Sequence, residues 1–571
     1  MDWKTLAELL FPHISKTRED YEKAYPPRAL AEGARVTRLG PSPTGFIHLG
    51  NLYGAFVDER LAHQSGGVFF LRIEDTDEKR QVEGAVEAVV HSLDYFGLRF
   101  DEGALLEGET GAYGPYFQRQ RAEIYQCFAK WLVEQGKAYP CFCGEEELQE
   151  IRGRQEERKA TPGYHGSWAR CRELTLEEIR ARLEAGQPFV LRFLSGGREH
   201  GGGSFEIEDG VRGTLSMPEN FQDVVLLKQN GIPTYHFAHV VDDHLMRTTH
   251  VVRGEEWLSS LPIHVALFEA FGWPLPVYCH TTVLMKMEGE NKRKLSKRKD
   301  PELSLNYYRR QGYHPAAVRE YLLTILNSNY EEWRMANPEA PAEEFPFTTE
   351  KMSSSGTLFD LDKLNDVSKD TLVRIPSPEL YEFLLEWARE YHGGGEDPRK
   401  EETGPEAAAL EIRGDLASLF AAEKEKLLRI LDMDRTGPKP RKDLVCCSQI
   451  FRHISYFFDE HYTPLEGYPE TVPPEDLKPI LQGYLAAYDP ADNQSAWFDK
   501  IRSLASELGY AAKPKEYQKN PELYKGHVGD VSTVIRVALM GRRSSPNLWE
   551  IQDIMGEAQV RRRMEKALAA L

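Results

Sequence analysis

A histidine and a nearby glycine stand where a short predicted strand gives way to a helix. His48 and Gly50 belong to the loop PSPTGFIHLGN, which follows the strand-like ARVTRL and leads into apolar residues at helical spacing. Backbone amides and the helix dipole favour phosphate at such a position. His48 can donate a hydrogen bond or move a proton, and Gly50 has no Cβ to hold off a base or a ribose. The loop indicates a nucleotide site, and the simpler alternative is a histidine that caps the helix.

A group of carboxylates follows the next predicted strand. The segment GVFFLRIEDTD ends in Glu74, Asp75 and Asp77, and EGAVEAVVHSLDYFGL then has the spacing of a second helix. This βαβα order predicts a parallel sheet, and ligands of such sheets bind outside the carboxyl ends of the strands. Both polar groups are expected at that edge. Taken alone, the carboxylates could equally be a metal cluster or a solvated turn.

The run RLGPSPTGFIHLGN followed by LRIEDTD resembles the signature region of the glutamyl-tRNA synthetases. That family is class I, and its His-Ile-Gly-His motif corresponds here to His48, Leu49, Gly50 and Asn51. The resemblance implies that His48, Gly50 and Asn51 bind ATP and that Mg²⁺ accompanies the nucleotide. Asn51 departs from the family's second histidine, but an amide still donates a hydrogen bond to phosphate or ribose.

A lysine-rich segment resembles the second signature of the family, the Lys-Met-Ser-Lys-Ser loop. It reads KLSKR and contains Lys294 and Lys297. Two lysines on a charged loop can clamp the leaving pyrophosphate and neutralise charge that develops on the α-phosphate. Lys297 is the stronger candidate. A second match, KMSSS at 351–355, lacks the second lysine and leads into FDLDKL, which resembles the family's tRNA stem-contact region, so we do not assign it to catalysis.

The stretch PTYHFAHVVDDHLMRTTHVVRGEEWL matches the glutamyl family over its whole length. By this resemblance adenosine is held by Glu256, Trp257 and Leu258. The glutamate-binding residues that we expect are Arg38, Ser42, Glu74, Tyr235, His239 and Arg253. Either arginine can pair with a carboxylate of glutamate through two hydrogen bonds, and Glu74 can accept the ammonium while Ser42 orients it. Taken singly, Trp257 could be a core residue, but the order of the motifs along the chain favours the joint interpretation.

Three of the seven cysteines form a candidate metal site. Cys141 and Cys143, followed by Tyr164, His165 and Cys171, resemble the zinc-bearing insertion of some family members, in which the ligands are two Cys, a Tyr and a further Cys. The gap from Tyr164 to Cys171 is longer than usual in the family. We therefore predict one structural Zn²⁺ on Cys141, Cys143, His165 and Cys171, with Tyr164 as the alternative to His165. Reduced cysteines without a metal are the plain alternative.

Composition limits the choice of compartment and partner. Hydrophobic residues make up 41% and charged residues 28% of the 571 residues, which is typical of a soluble globular protein with several cores. We find no signal peptide and no membrane-spanning run and expect a cytoplasmic monomer. A net charge of -19 argues against non-specific coating of nucleic acid. Basic clusters near 292–299 and 542–563 are compatible with a tRNA held on a defined path, or are solvated helix faces.

The pattern along the chain predicts a multidomain α/β protein. A Rossmann-type parallel-sheet catalytic domain with a small inserted domain is followed by all-α C-terminal domains. A linker is expected at 393–406. The predicted segments are a helical extension (1–32), the first catalytic half (33–130), the inserted acceptor-end and zinc-type domain (131–225), the second catalytic half with the lysine loop (226–345), a helical stem-contact region (346–410) and a helical anticodon-binding domain (411–571).

The resemblance implies a glutamate-tRNA ligase. Glutamate and ATP would give glutamyl-adenylate and pyrophosphate, and the glutamyl group would then pass to the terminal adenosine of tRNA-Glu. The family generally needs tRNA bound before activation. The alternatives are a glutaminyl-tRNA synthetase, which the RGEEW run and the helical C-terminus disfavour, and a non-catalytic tRNA-binding paralogue, which is expected to have lost His48 or Lys297.

Overall fold

The computed structural model describes residues 1–43, 47–77, 82, 84–196, 203–392, 415–435 and 440–571. The predicted linker at 393–406 and residues 44–46 of the loop before His48 lie outside the described residues. The chain forms two compact units. The first unit contains residues 1–307 and 322–360, and the second contains 308–321 and 361–571.

Two helices precede the first strand. They are α1 (Trp3–Leu10) and α2 (Arg18–Ala24). The Asp2 carboxylate accepts the Thr5 N–H at the start of α1, and Thr17 and Asp20 form a capping box at the start of α2. Helix α2 ends at Ala24 with Tyr25 as its C-cap, directly before two prolines that cannot continue it.

The strands and helices that carry the first polar groups alternate as the sequence predicts. They are β1 (Val36–Leu39), α3 (Leu49–Gln64), β2 (Val68–Leu71), α4 (Ala85–Tyr95), β3 (Glu102–Ala104) and β4 (Glu109–Thr110). Strand β2 pairs in parallel with both β1 and β3, and β4 pairs antiparallel with β3. The loops that follow β1 and β2 therefore emerge at one edge of the sheet.

A small antiparallel sheet and a separate hairpin follow. The elements are α5 (Ala122–Glu134), β5 (Ala138–Cys141), α6 (Glu145–Glu157), α7 (Leu176–Glu184), β6 (Val190–Phe193), β7 (Ser204–Asp209), β8 (Gly213–Pro218) and β9 (Val225–Leu227). Strands β5, β6 and β9 form the small sheet. The β7–β8 hairpin belongs to a different sheet, because Asp209 at the end of β7 pairs with Tyr278 of a later strand.

The parallel pattern resumes in the second half of the first unit. The elements along this part of the chain are α8 (Tyr235–Leu245), β10 (His250–Gly254), α9 (Leu261–Phe271), β11 (Val277–Thr281), β12 (Leu284–Glu288), β13 (Asn291–Lys294), α10 (Leu305–Gln311), α11 (Pro315–Leu326), α12 (Tyr330–Ala336) and β14 (Thr357–Leu358). Residues 308–321, which include most of α10 and most of α11, belong to the second unit. Strands β10 and β11 are parallel, and the Thr249 N–H donates to the Val36 carbonyl oxygen at 2.9 Å, which sets β10 beside β1. The carboxyl ends of β1, β10 and β11 thus share one edge.

The second unit is helical throughout its described residues. Its α-helices beyond α11 are α13 (Leu361–Arg374), α14 (Ser377–His392), α15 (Leu416–Ala422), α16 (Lys424–Asp432), α17 (Cys447–Ile454), α18 (Pro474–Ala487), α19 (Gln494–Glu507), α20 (Pro514–Lys519), α21 (Val528–Met540), α22 (Leu548–Met555) and α23 (Glu557–Ala569). Apart from α20, these helices contribute apolar side chains to one core that includes Leu384, Ile450, Ile480 and Ile535. In the part of the chain that the structure covers, no helix is both long enough and apolar enough to cross a bilayer.

Candidate active site

One cleft of about 700 Å³ lies at the shared edge of the parallel strands. Most of the residues to which the sequence assigns ATP or glutamate contribute to its wall. They are Arg38, Ser42, His48, Gly50, Asn51, Glu74, Tyr235, Arg253, Glu256, Trp257, Lys294 and Lys297. Leu258 and His239 are the two assigned residues that are absent from this wall. Residues separated by about 250 positions in the chain therefore meet in one site.

His48 both caps a helix and faces the cleft. The Gly50 N–H donates to His48 Nδ1 at 3.1 Å, and the His48 N–H donates to Asn51 Oδ1 at 3.1 Å, so the two side chains form a capping box at the start of α3. Burial and the nearby ammonium of Lys297 lower the pKa of His48. The ring is therefore neutral near pH 7, and because Nδ1 accepts, Nε2 carries the proton. Asn51 therefore uses its side-chain oxygen in the helix cap and also lines the cleft.

The lysine loop is fixed by an aspartate that follows it. The Arg293 guanidinium donates to both oxygens of Asp300, at 2.6 and 2.8 Å, and the Ser296 N–H donates to Asp300 at 2.8 Å. The paired guanidinium lowers the pKa of Asp300 to about 2. A backbone bridge between His48 and Ser304 joins the segment after this loop to the start of α3. Asp300 is absent from the residues that the sequence assigns to the site, although an acid directly after a run with six basic residues in eight is a visible signal.

Lys294 and Lys297 are available for a ligand. Neighbouring basic residues are paired, since Lys299 lies 3.5 Å from Glu288 and Lys286 contacts Glu302. Among the described residues, no carboxylate lies within ion-pair distance of Lys294 or Lys297. Two free ammonium groups in a cleft of this kind attract the phosphates of a nucleotide.

The side of the cleft near Arg38 and Glu74 contains buried ion pairs. Arg38 Nε lies 3.3 Å from Asp243, and Arg72 contacts both Asp243 at 2.7 Å and Glu74 at 3.0 Å. Burial raises the pKa of Glu74, and the two guanidinium groups oppose that effect. An additional cation, such as a substrate ammonium, would favour the ionised carboxylate. Gly40 leaves room for Glu74, because a Cβ there would lie 2.4 Å from Glu74 Oε1.

Two aromatic rings form the wall near the RGEEW segment. Trp257 lies in the 3₁₀ turn Glu255–Ser260, and its ring centroid is 4.5 Å from that of Tyr235. Trp257 is 38% exposed, so part of its ring remains free to stack against a base. Leu258 lies in the same turn without reaching the cleft wall.

His239 lies behind the cleft. It is fully buried, stacks against Tyr235 at 5.7 Å, and has Nδ1 at 2.9 Å from Asp243 and Nε2 at 3.2 Å from the Tyr278 hydroxyl. Helical spacing places residue 239 one turn after Tyr235, and Tyr235 covers it on the cleft side. The expected direct contact of His239 with glutamate is therefore replaced by a supporting position.

The three cysteines of the candidate metal site converge, and Tyr164 joins them. The sulfur atoms of Cys141, Cys143 and Cys171 all lie within 4.8 Å of one another. The Tyr164 hydroxyl oxygen is 3.3 Å from Cys143 Sγ and accepts the Cys171 N–H at 3.1 Å. Short 3₁₀ turns at Gly166–Trp168 and Arg170–Glu173 take up the long gap between Tyr164 and Cys171.

His165 points to a different environment. Its Nε2 is 2.9 Å from the Thr161 carbonyl oxygen, and its ring packs edge-on against Phe221. Hydrogen bonds from the neighbouring thiols of Cys143 and Cys171 lower the pKa of Cys141. Three sulfur atoms and a phenol oxygen fit a closed tetrahedral Zn²⁺ site. The geometry favours Tyr164 over His165 as the fourth ligand.

A parallel sheet with a histidine at a helix start and two free lysines in one cleft is the arrangement of a class I aminoacyl-tRNA synthetase. The chain belongs to the family described as tRNA synthetases class I (E and Q), whose catalytic-domain model matches residues 35–366. A second family model, described as anticodon binding domain, matches residues 441–568. The fold class that the sequence predicts is thereby confirmed.

Full-length relatives and a solved structure are similar to this chain. The glutamate-tRNA ligase of Acetivibrio thermocellus is 61% identical over 569 residues, with 100% of both chains covered. That of Clostridium perfringens is 46% identical over 574 residues, again with 100% of both chains covered. A crystal structure of a glutamate tRNA ligase from Elizabethkingia meningosepticum, in complex with its amino acid, has a TM-score of 0.72 at 26% identity and covers 94% of this chain and 99% of its own.

Proposed function

We propose that this protein is a glutamate-tRNA ligase that forms glutamyl-adenylate from glutamate and ATP and transfers the glutamyl group to tRNA-Glu. One observation carries the proposal. His48, Lys294 and Lys297 line the same cleft as the side chains of Arg38, Glu74 and Arg253. Two relatives described as glutamate-tRNA ligases match the chain over its full length. We expect the enzyme to act as a monomer in the cytoplasm.

In the first step the α-carboxylate of glutamate attacks the α-phosphate of ATP. The bond between the α-phosphate and the bridging oxygen breaks, and pyrophosphate leaves with the bonding electron pair. His48 donates from Nε2 to a phosphate oxygen, and Lys294 and Lys297 neutralise the charge that grows on the α-phosphate and on the leaving group. When bound with ATP, Mg²⁺ would offset phosphate charge.

Substrate selection follows from the two sides of the cleft. Adenine stacks on the exposed part of Trp257, and Gly50 lets the nucleotide approach the helix start. Glu74 accepts the substrate ammonium, with Ser42 beside it. Arg38 and Arg253 face the carboxylates of glutamate, and Tyr235 covers the wall between them.

In the second step a hydroxyl of the terminal ribose of tRNA attacks the carbonyl carbon of the adenylate, and AMP leaves. The residues matched by the anticodon-binding family lie in the second unit, so we assign tRNA recognition to its helices. We also assign the stem contact to 346–410, the anticodon contact to 411–571, and acceptor-end binding to the inserted segment 131–225.

Amino-acid-dependent exchange of pyrophosphate into ATP tests the proposed function. We expect glutamate to support exchange. The exchange rate with glutamine, and the rate without any amino acid, should stay near background. Each reaction is run with and without tRNA-Glu, because a requirement for bound tRNA would leave the tRNA-free reaction silent. Exchange with glutamine alone would identify a glutaminyl-tRNA synthetase, and no exchange with either amino acid would identify a non-catalytic paralogue.

We propose that Cys141, Cys143, Tyr164 and Cys171 hold one structural Zn²⁺. Elemental analysis of the purified protein is expected to give about one zinc per chain. Replacing Cys171 by Ser should remove the metal and lower the melting temperature. Cys127 is a buried cysteine outside the cluster, so the Cys127→Ser variant should retain the metal. Tyr164→Phe should weaken zinc retention against a chelator, and His165→Ala should not. A zinc-free wild-type protein would refute the site.

A further inference from the structure

Arg253 is held between two buried histidines. Its Nε donates to His280 Nε2 at 2.9 Å, and its Nη1 donates to His264 Nδ1 at 2.9 Å. The residue is 8% exposed and lines the cleft. Its remaining nitrogen, Nη2, is buried and has no hydrogen-bond partner among the described residues. A buried donor of this kind is costly unless a partner arrives, so the free Nη2 indicates a ligand atom that accepts a hydrogen bond there.

Only one protonation pattern fits these contacts. A guanidinium donates and never accepts, so both ring nitrogens that face Arg253 must be unprotonated. His280 then carries its proton on Nδ1 and donates it to Asp209 Oδ2 at 2.6 Å. His264 carries its proton on Nε2 and donates it to His236 Nδ1 at 3.1 Å. Burial lowers the pKa of His280 and His264, and the Arg253 charge adds to the effect, so both rings stay neutral.

Asp209 anchors this arrangement from the β7–β8 hairpin. Its Oδ1 accepts the N–H groups of Val211 and Arg212, each at 3.0 Å, and the His280 N–H at 3.2 Å. Arg212 in turn contacts Glu255, in the turn that follows β10. The hairpin therefore fixes both the ring that contacts Arg253 and the backbone just after it. Asp209, His280 and His264 are absent from the residues that the sequence assigns to the site.

We propose that Asp209, His280 and His264 are positioning residues for glutamate, which hold Arg253 so that Nη2 is presented to a carboxylate of the substrate. The inference rests on the proposed function. Two of the three guanidinium nitrogens donate to imidazole rings whose tautomers the network fixes. The orientation of the third nitrogen is therefore set before the substrate binds. Preorganisation of this kind raises affinity by reducing the ordering that binding requires. Because Arg253 is assigned to glutamate and not to ATP or tRNA, we expect the binding of ATP and tRNA to be independent of the network.

Asp209→Asn is the sharpest test because it changes one atom and keeps the side-chain volume. Three backbone N–H groups hold the amide oxygen at the Oδ1 position, which leaves the NH₂ group facing His280. His280 must then accept at Nδ1 and carry its proton on Nε2. Its Nε2–H and the Arg253 Nε–H would then be two donors facing each other, and the hydrogen bond between them would be lost. In exchange assays with tRNA present, we expect the KM for glutamate to rise about tenfold, with the KM for ATP and the tRNA affinity within about twofold of wild type.

A pair of His264 variants adds a rescue readout. The Oδ1 of an asparagine lies near the position of His264 Nδ1 and can accept from Arg253, whereas leucine cannot. His264→Leu should raise the KM for glutamate about tenfold, and His264→Asn should recover much of that loss. His244→Ala is the matched control, since this partly buried ring stacks on Trp273 and pairs with Glu22 rather than with Arg253. It should lower stability without a selective change in the KM for glutamate.

The outcomes separate the two levels of the argument. A wild-type protein without glutamate-dependent exchange contradicts the proposed function and this inference with it. An active wild type whose Asp209→Asn variant keeps its KM for glutamate, or shows equal increases for glutamate and ATP, overturns the positioning role alone. Equal defects in His264→Asn and His264→Leu would also overturn it. Thermal unfolding of each variant confirms that the folded protein is being compared.

Discussion

Replacing Lys297 by Ala slows glutamyl-adenylate formation by about a hundredfold or more, while tRNA binding stays within about twofold of wild type. The reason is that Lys297 has no acidic partner in the described part of the chain and lines the cleft beside His48. Its charge is therefore available to the transition state, in which the leaving pyrophosphate gains negative charge. Pyrophosphate exchange measures the first quantity, and fluorescence titration of tRNA-Glu measures the second.

Lys299 provides the matched control for this prediction. It lies on the same loop and is exposed, but it pairs with Glu288 at 3.5 Å and is absent from the cleft wall. Lys299→Ala should therefore leave the exchange rate within about twofold of wild type, because an exposed ion pair contributes little. If Lys297→Ala weakens tRNA binding as much as it slows exchange, the lysine acts on the nucleic acid and our assignment fails.

Replacing Asp243 by Ala lowers the free energy of unfolding of the first unit by about 3–5 kcal/mol. Asp243 is fully buried and faces Arg72 at 2.7 Å, Arg38 at 3.3 Å and His239 at 2.9 Å. Burial alone would raise its pKa, but Arg72 and Arg38 hold the pKa of this carboxyl well below its usual range. Without Asp243 two guanidinium groups lose a buried counter-charge.

Calorimetry on the variant measures this effect, and the glutamate KM gives a second readout. Arg38 lines the cleft and contacts Asp243. The folded fraction of the Asp243→Ala variant should therefore also bind glutamate more weakly than the wild type does. Asp94→Asn is the control, since Asp94 is an exposed acid on α4. A melting temperature for Asp243→Ala that equals that of Asp94→Asn would show that the buried charges rearrange at little cost.

The parts of the site that the sequence predicts are local in the chain. His48 and Asn51 lie within one helical turn, and Lys297 lies in a short basic loop. Their local arrangement can therefore be predicted from residue type and spacing alone. The alternation of strands with helices also predicts the parallel sheet, because hydrophobic periodicity is a property of short segments. For His48 the sequence allows either a helix cap or a nucleotide contact. In the structure His48 caps α3 and also lines the cleft wall.

The parts that the sequence does not predict depend on contacts between distant segments. Asp209 and His280 are 71 positions apart, and their hydrogen bond exists because the β7–β8 hairpin joins the sheet of β10 and β11. Spacing favoured His165 over Tyr164, whereas the structure brings the Tyr164 hydroxyl close to the cysteine sulfur atoms. The 3₁₀ turns in the gap before Cys171 have no clear periodic pattern in the sequence. His239 was assigned to glutamate from its position in a motif, whereas helical geometry places it behind Tyr235.

The convergence of nucleotide and amino-acid groups on one cleft is tested most directly by a crystal structure with a non-hydrolysable sulfamoyl analogue of glutamyl-adenylate. We predict adenine against Trp257, the sulfamoyl oxygens within hydrogen-bond distance of His48 Nε2, and a glutamyl carboxylate on Arg253 Nη2. An analogue bound outside the cleft, or bound in it with the glutamyl group directed away from Arg253 and Glu74, would contradict the account.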